Sequence, residues 1–174
     1  MKHGYALILF VFQAIAGSAQ YTIPDPAFAA ELQLIVPNAM TGNVLDETHP
    51  DVLALTTMLV GGANITDLDG LQFFVSLVEL NCSQNELTQL PDLPPGLEEL
   101  RCNGNDLTAL PPLPATLSNL RCGSNQLTAL PTLPPALSYL DCAQNQLGAL
   151  PTLPNGLGSL YCGNNLLTSL PTLP

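Results

Sequence analysis

The sequence has 174 residues, 47% of them hydrophobic and 10% charged, which is enough for a single domain with a modest core. It contains 14 acidic residues against three lysine and arginine residues, and its formal charge is −11 at pH 7. That charge argues against nucleic acids and anionic membrane surfaces as partners. We interpret the acidity mainly as a source of solubility for a leucine-rich chain.

The segment 1–19 has the pattern of a secretory signal peptide. A short polar start precedes an apolar run at 5–16, and the small residues at 17–19 predict cleavage after Ala19. The competing interpretation is a transmembrane anchor, which needs about 20 apolar residues and therefore a longer run. Without this segment the formal charge is −12, and Arg101 and Arg121 are the remaining lysine or arginine residues. We therefore expect a secreted or cell-surface protein with no membrane span after processing.

The segment 20–54 differs in composition from the rest and is predicted to cap the N-terminal end of the domain. Asp25 is a suitable N-cap, Pro26 fits the first helical position and Pro37 follows the end of the predicted helix. The apolar residues at helical spacing are Phe28, Leu32 and Ile35. The segment NAMTGNVLDETHPD that follows is predicted to be a loop.

A twenty-residue register repeats five times between Leu77 and the end of the sequence. The cysteines at this spacing are Cys82, Cys102, Cys122, Cys142 and Cys162, and the asparagines are Asn85, Asn105, Asn125, Asn145 and Asn165. A related unit at about 55–76 is two positions longer. So strict a repeat predicts a solenoid over 55–174, in which each unit buries its apolar face against its neighbours.

Each unit is predicted to contain one short strand and an extended return segment. In the unit ELRCN, Leu100 and Cys102 point inward with period two, and stacked units would form a parallel sheet. Asn105 is expected to turn the chain and to bond backbone groups of its own turn and of the next unit. Pro111 and Pro114 forbid an ordinary helix on the return path, where a polyproline-like conformation is the alternative.

The pattern LxxLxCxxNxLTxLPxLPxx resembles a leucine-rich repeat in which cysteine replaces one leucine. Its compact LPxLP form resembles the repeats of bacterial effector proteins delivered into host cells. The segments YTIPDPAFAAELQ and NITDLDGLQFFVSLVELNCSQNELTQL are similar to secreted or surface proteins of Bacteroidota-type bacteria. The resemblance covers 55–174 strongly and 21–54 loosely. It implies the α/β horseshoe class, with the parallel sheet on the concave face and an extended convex side.

The five cysteines are predicted to pack as small apolar core residues with free thiols. A metal site would need thiolates that converge from several directions, whereas a stacked column is a straight line. Parallel side chains rarely offer the dihedral angle of a disulfide.

Strand residues that point away from the core vary from unit to unit, and we consider them candidates for ligand binding. These candidates are Glu79, Glu99, Arg101, Asn119, Arg121, Tyr139, Asp141 and Tyr161. Arg101 and Arg121 would be stacked neighbours, and the two tyrosines belong to a residue type enriched at interfaces. The alternative is an ordinary solvated face, with Arg101 paired to Glu79 or Glu99.

The sequence carries no HExxH, GxSxG or P-loop motif, and we expect neither catalysis, a cofactor nor a metal. His49 is surrounded by Asp46, Glu47 and Asp51, but their spacing is not that of an EF-hand, and a solvated loop is the preferred interpretation.

We therefore predict an exported, non-enzymatic binding module that recognises a protein or a glycan on its concave face. One alternative is the N-terminal recognition region of a larger secreted effector or surface adhesin; some effectors with such repeats carry a ubiquitin-ligase domain after them. Another is a passive spacer. The sequence stops inside the repeat pattern, which predicts either a fragment or end-to-end self-association through an uncapped last repeat.

Overall fold

The computed structural model describes residues 19–173, so the predicted signal peptide lies almost entirely outside the described part. The chain forms a small antiparallel sheet with helices at its N-terminal side and then a parallel sheet of six strands. This is the predicted solenoid with its N-terminal helical segment, and the fold class is confirmed.

The N-terminal block is more ordered than its sequence suggested. It contains β1 (Gln20–Thr22), α1 (Pro26–Ile35), a 3-10 turn (Pro37–Ala39), β2 (Met40–Thr41), β3 (Val44–Asp46) and α2 (Pro50–Ala54). The strands pair antiparallel in the order β1-β3-β2. The prediction of a loop over NAMTGNVLDETHPD was therefore wrong. Gly42 adopts a φ of 62° and closes the turn between β2 and β3, which lets Met40 and Leu45 be buried together.

The helix α1 begins where the sequence predicted. The Oδ1 atom of Asp25 accepts hydrogen bonds from the backbone N–H groups of Ala27 and Phe28 at 2.8 and 2.9 Å. Its Oδ2 atom accepts a bond from the backbone N–H of Thr66 at 2.7 Å. Phe28 and Leu32 are fully buried, whereas Ile35 is only partly buried. One carboxylate thus caps the helix and ties it to the first repeat.

The six parallel strands follow one another in chain order. They are β4 (Thr57–Leu59), β5 (Glu79–Asn81), β6 (Glu99–Arg101), β7 (Asn119–Arg121), β8 (Tyr139–Asp141) and β9 (Ser159–Tyr161). Thr57 faces Glu79 in the first pair, and Glu79 faces Glu99 in the second, so the first step is two positions longer than the later ones. Each unit therefore adds one strand to the same sheet.

The interior of the solenoid is built from stacked columns of leucine and cysteine. Leu100 and Cys102 are fully buried, as are their counterparts in the neighbouring units. Cys82, Cys102, Cys122 and Cys142 are buried free thiols, as predicted, and Cys162 is partly buried. Burial raises the pKa of Cys82 and of Cys142 to about 12. The return segment between β6 and β7 is extended and contains no helix over 105–116, as the prolines predicted. The longer segment after β4 contains a 3-10 turn (Leu71–Phe73).

The asparagines bond to backbone groups of their own unit, as predicted, but their other bonds are to the preceding unit and not to the next one. The Oδ1 atom of Asn105 accepts a bond from Leu87 N–H, and its Nδ2 atom donates to the carbonyl of Cys82 and to that of Cys102. Asn85, Asn125, Asn145 and Asn165 repeat this arrangement. The ladder is therefore structural.

Candidate functional site

The outward side chains of the parallel sheet form the surface that we call the concave face. It is defined by the predicted residues Glu79, Glu99, Arg101, Asn119, Arg121, Tyr139, Asp141 and Tyr161. Because strand residues alternate in direction and Leu80, Leu100, Leu120 and Leu140 are buried, the residues on either side of each leucine point outward. All eight predicted residues lie on this one surface.

One half of the concave face is an ion-pair cluster around Arg101. Its Nε atom donates a hydrogen bond of 2.7 Å to Oε1 of Glu99, and its terminal nitrogen lies 3.5 Å from Oε1 of Glu79. The bond to Glu99 raises the pKa of the Arg101 guanidinium. The paired state of Arg101 that we considered as the alternative is therefore the observed one, and its charge is already neutralised.

The other half is a stack of a cation and two aromatic rings that zigzags across β7, β8 and β9. The Arg121 guanidinium carbon lies 4.9 Å from the centre of the Tyr139 ring. The Tyr139 and Tyr161 rings are 5.6 Å apart and tilted by 38°. Tyr161 is 55% exposed, which makes it the most accessible member of the stack. Such a cation–π contact typically contributes about 0.5–1 kcal/mol at an exposed site.

Arg121 differs from Arg101 because none of the described residues accepts a hydrogen bond from it. Within residues 19–173 it forms no ion pair shorter than 4.0 Å, and its buried Nε atom has no hydrogen-bond partner. Asn119, which occupies the place of Glu99 in the next unit, has a buried Oδ1 atom that also lacks a hydrogen-bond partner among the described residues. Asp141 faces Arg121 in register, but its Oδ1 atom accepts a bond from Ala143 N–H.

The acidic residues near His49 do not assemble into a ligand cluster. His49 caps α2, and its Nδ1 atom accepts a bond from Asp51 N–H at 3.1 Å. Oδ1 of Asp46 accepts bonds from the backbone and hydroxyl of Thr48. In the described range 19–173 no group of three or more His, Cys, Asp or Glu residues is placed to hold a metal ion.

A second concavity lies on the proline-rich return segments. It is an apolar groove of about 520 Å³ between the neighbouring segments 110–115 and 131–135. Ligand sites usually combine an apolar lining with a few polar groups that fix the orientation of the ligand. This groove is lined by leucine, proline and alanine with a single threonine, whereas the concave face offers charged, amide and aromatic groups together.

The sequence predicted which residues share the concave face but not how they pair. The alternation of inward and outward residues placed all eight on one face, and the spacing of the repeat stacked Arg101 on Arg121. The diagonal contact between Arg121 and Tyr139 was missed. Tyr139 follows Arg121 by two positions fewer than one full repeat, and this offset is the signal that could have found it.

Comparison with solved structures identifies the scaffold. YopM from Yersinia enterocolitica WA-314 is 44% identical, with 57% of this chain and 22% of that chain covered and a TM-score of 0.57. The LRR domain of a Shigella effector is 34% identical, with coverage of 68% and 54% and a TM-score of 0.66. The functional domain of InlJ from Listeria monocytogenes, described as including a cysteine ladder, is 29% identical, with coverage of 88% and 36% and a TM-score of 0.74.

The chain spans about a fifth to a half of the length of these relatives. No protein-family model matches it, and no curated protein matches it in sequence. Over the described residues, none of the helices combines the length and the apolar character that a membrane crossing requires. The solenoid architecture of this chain matches that of the InlJ domain over 88% of the chain. The chain is therefore a leucine-rich repeat solenoid built from the compact repeats of bacterial leucine-rich repeat proteins.

Proposed function

We propose that the chain is an exported binding module that recognises a protein ligand on its concave face, without catalysis. The observation that carries the proposal is the stack of Arg121, Tyr139 and Tyr161, which is placed on a sheet whose interior positions are nearly invariant. A rigid parallel sheet presents such groups without a large loss of conformational entropy on binding. Tyrosine and arginine are also the residue types that dominate the energetics of many interfaces.

A protein ligand is preferred to a glycan because solenoids use their extended concave surfaces chiefly for macromolecular recognition. The relatives support this choice, since the Shigella one is described as the LRR domain of an effector. A glycan that stacks on Tyr161 is the alternative for the same surface. A larger protein is the alternative for the whole chain: these repeats would then be the recognition region of an effector or adhesin with activity elsewhere.

Export is proposed from the segment 1–19, with cleavage after Ala19. The apolar run at 5–16 and the small residues at 17–19 support it. The intact mass of the natural protein in culture medium and in the cell envelope tests this. A mass that starts at Gln20 supports export, and a protein that retains Met1 or Lys2 contradicts it.

The last described repeat exposes a set of apolar side chains, and we propose that they support end-to-end self-association. They are Leu166, Leu170 and Leu173, which are 67%, 53% and 62% exposed. Exposed apolar patches on soluble proteins commonly mark contact sites. Sedimentation velocity of the wild type and of Leu170→Glu tests this. A concentration-dependent increase in size that the variant abolishes supports association, and a wild type that stays monomeric contradicts it.

Recognition on the concave face is tested with a photo-crosslinking amino acid at matched positions. Asn103 and Ala143 are half-buried residues that continue the outward rows of the concave face, and Thr108 and Thr128 are exposed residues outside it. Full-length variants carrying the crosslinker at each position would be exposed to the natural extracellular milieu. We expect one protein adduct from the first two positions and none from the last two. Adducts of equal yield at all four positions would contradict the proposal.

A further inference from the structure

Arg121 lies on the concave face with donors that no acceptor within residues 19–173 engages, and this points to the chemistry of the ligand. We propose that Arg121 anchors an acidic side chain of a protein partner, whose carboxylate it binds, while an apolar or aromatic group beside that carboxylate lies on Tyr161. This proposal rests on the proposed function, recognition of a protein on the concave face, and adds which chemical group of the ligand is bound.

The first argument for the proposal is the difference in hydrogen bonding between Arg101 and Arg121. In β6 the Nε atom of Arg101 bonds to Glu99 two residues earlier, at 2.7 Å. In β7 the same two positions hold Arg121 and Asn119, and in the described part of the chain neither Nε of Arg121 nor Oδ1 of Asn119 has a hydrogen-bond partner. In the β6 unit, therefore, the arginine is paired with a carboxylate of the same unit, whereas in the β7 unit the described residues provide no such carboxylate for the arginine. Because the Nε atom of Arg121 is buried, a carboxylate from outside would instead bind the terminal N–H groups of this guanidinium, which form no ion pair within residues 19–173.

The surroundings of Arg121 keep it available and fixed in direction. The Tyr139 ring holds one side of the guanidinium at 4.9 Å, which limits its motion. Asp141 is the nearest carboxylate in register, but its Oδ1 atom is bonded to Ala143 N–H, beside Gly123. A guanidinium that is stacked on a ring still presents its N–H groups at its edge, where a carboxylate can bind through two parallel hydrogen bonds.

The charged residues around Arg121 limit the number of negative groups that a ligand can carry. Arg101 is neutralised by Glu79 and Glu99, and Asp141 lies next to Arg121. The whole chain has a formal charge of −11. A polyanion such as nucleic acid or a repetitive acidic glycan would be repelled by this surface, because it could use only one cation. A single carboxylate within an otherwise uncharged or basic protein surface is the complementary ligand.

The test is selection of a phage-displayed library of random peptides on the full chain, followed by affinity measurement of the selected peptides. The variants are Arg121→Gln, Arg121→Lys and Tyr139→Ala, with Thr128→Ala as the control outside the concave face. We expect the selected peptides to contain a required Asp or Glu. Its replacement by Asn or Gln should weaken binding to the wild type by about tenfold or more, and should have little effect on Arg121→Gln. Arg121→Lys should recover only part of the affinity, because lysine lacks the planar fork.

The outcomes separate this inference from the proposed function. Peptides that depend on Tyr139 but need no acidic residue would overturn the carboxylate anchor and leave concave-face recognition standing. Peptides that bind equally to wild type and Tyr139→Ala would contradict concave-face recognition itself, as would a selection that yields no specific peptide. Arg121-dependent binding of a glucuronate oligosaccharide, in place of any peptide, would overturn the choice of a protein ligand.

Discussion

The side-chain oxygen of Asn105 accepts a hydrogen bond of 3.0 Å from the backbone N–H of Leu87, which belongs to the preceding repeat. The same amide donates to the carbonyl oxygens of Cys82 and Cys102 at 3.1 and 3.0 Å. Asn105 is 8% exposed, so these bonds form where water does not easily replace them. The column of asparagines therefore joins each turn of the solenoid to the one before it.

Asn105→Ala should lower the free energy of unfolding by about 1–3 kcal/mol, because it leaves the buried N–H of Leu87 without a partner. The carbonyl oxygens of Cys82 and Cys102 each lose one bond but keep those from Asn85 and Asn125. Urea unfolding followed by circular dichroism measures the change. Asn103→Ala is the matched control, since Asn103 is half-buried and its side chain makes no hydrogen bond among the described residues; we expect a loss below about 1 kcal/mol there. Equal losses in the two variants would show that the ladder is not what stabilises the stack.

The buried thiols should make the protein sensitive to alkaline pH. The pKa of Cys82 and that of Cys142 are raised by burial to about 12 from an ordinary value of 9.0. A group with a raised pKa in the folded state stabilises the fold fully below its unfolded pKa. The free energy of unfolding should therefore fall as the pH rises from 9 towards 12, by up to roughly 1.4 kcal/mol per pH unit for each thiol.

The double variant Cys82→Ala/Cys142→Ala separates this effect from the titration of other groups. It should be less stable than the wild type at pH 8, because two small cavities replace the thiols. Its stability should fall less steeply between pH 9 and 11 under reducing conditions. Parallel curves for the two proteins would contradict the assignment of the alkaline loss to the thiols.

Asp25 should be the most important carboxylate for the N-terminal block. Burial opposes its charged form, but hydrogen bonds from the backbone of Phe28 and from Thr66 outweigh that effect, and the pKa of Asp25 is lowered. Its stabilisation should be present above pH 3.8 and be lost as the pH falls through the lowered pKa. Asp25→Asn should cost about 1–3 kcal/mol at pH 7, since an amide cannot accept every one of these bonds.

Asp92→Asn is the matched control for this change, because Asp92 is exposed and accepts no hydrogen bond among the described residues. We expect its unfolding free energy to stay within about 0.5 kcal/mol of the wild type. Thermal unfolding at pH 7 and pH 3 measures both variants. An Asp25→Asn protein as stable as Asp92→Asn at pH 7 would argue against the role of Asp25 as the link between helix and first repeat.

Gln84→Gly should stabilise the protein by about 0.5–1 kcal/mol, because Gln84 has a φ of 57° and glycine adopts this conformation without steric cost. Gly104 already occupies the same position of the next unit, with a φ of 68°. Gln89→Gly, at an exposed site without a positive φ, should instead be neutral or destabilising. A difference in unfolding midpoint checks the sign, and stabilisation by both changes would refute the argument from backbone strain.

Much of the fold could be predicted because each repeat has the same pattern of buried apolar residues and prolines. Leu100 and Cys102 fix the direction of the strand, and Pro111 and Pro114 exclude a helix on the return path. The strands β2 and β3 were missed because each is very short and lies among turn-forming residues. Their stability comes from burying Met40 and Leu45, which depends on contacts distant in sequence.

The candidate site was predictable only in part. The alternation of strand residues predicts which side chains point outward. It does not predict which of them form contacts, because a side chain can contact residues of its own strand or of the neighbouring repeat. The outcome depends on side-chain length and on which acceptors are nearby. Arg101 forms its hydrogen bond with Glu99 of its own strand. Arg121 has Asn119 there instead, and it stacks on Tyr139 of the next strand.

The most direct test of the account is the affinity of an identified protein partner, measured by titration calorimetry, for the wild type, Arg121→Glu and Tyr139→Ala. Thr128→Ala serves as the control outside the concave face, and circular dichroism verifies that each variant is folded. We predict that the two concave-face variants bind about tenfold or more weakly and that the control binds normally. Unchanged affinity in both concave-face variants would contradict recognition on this face.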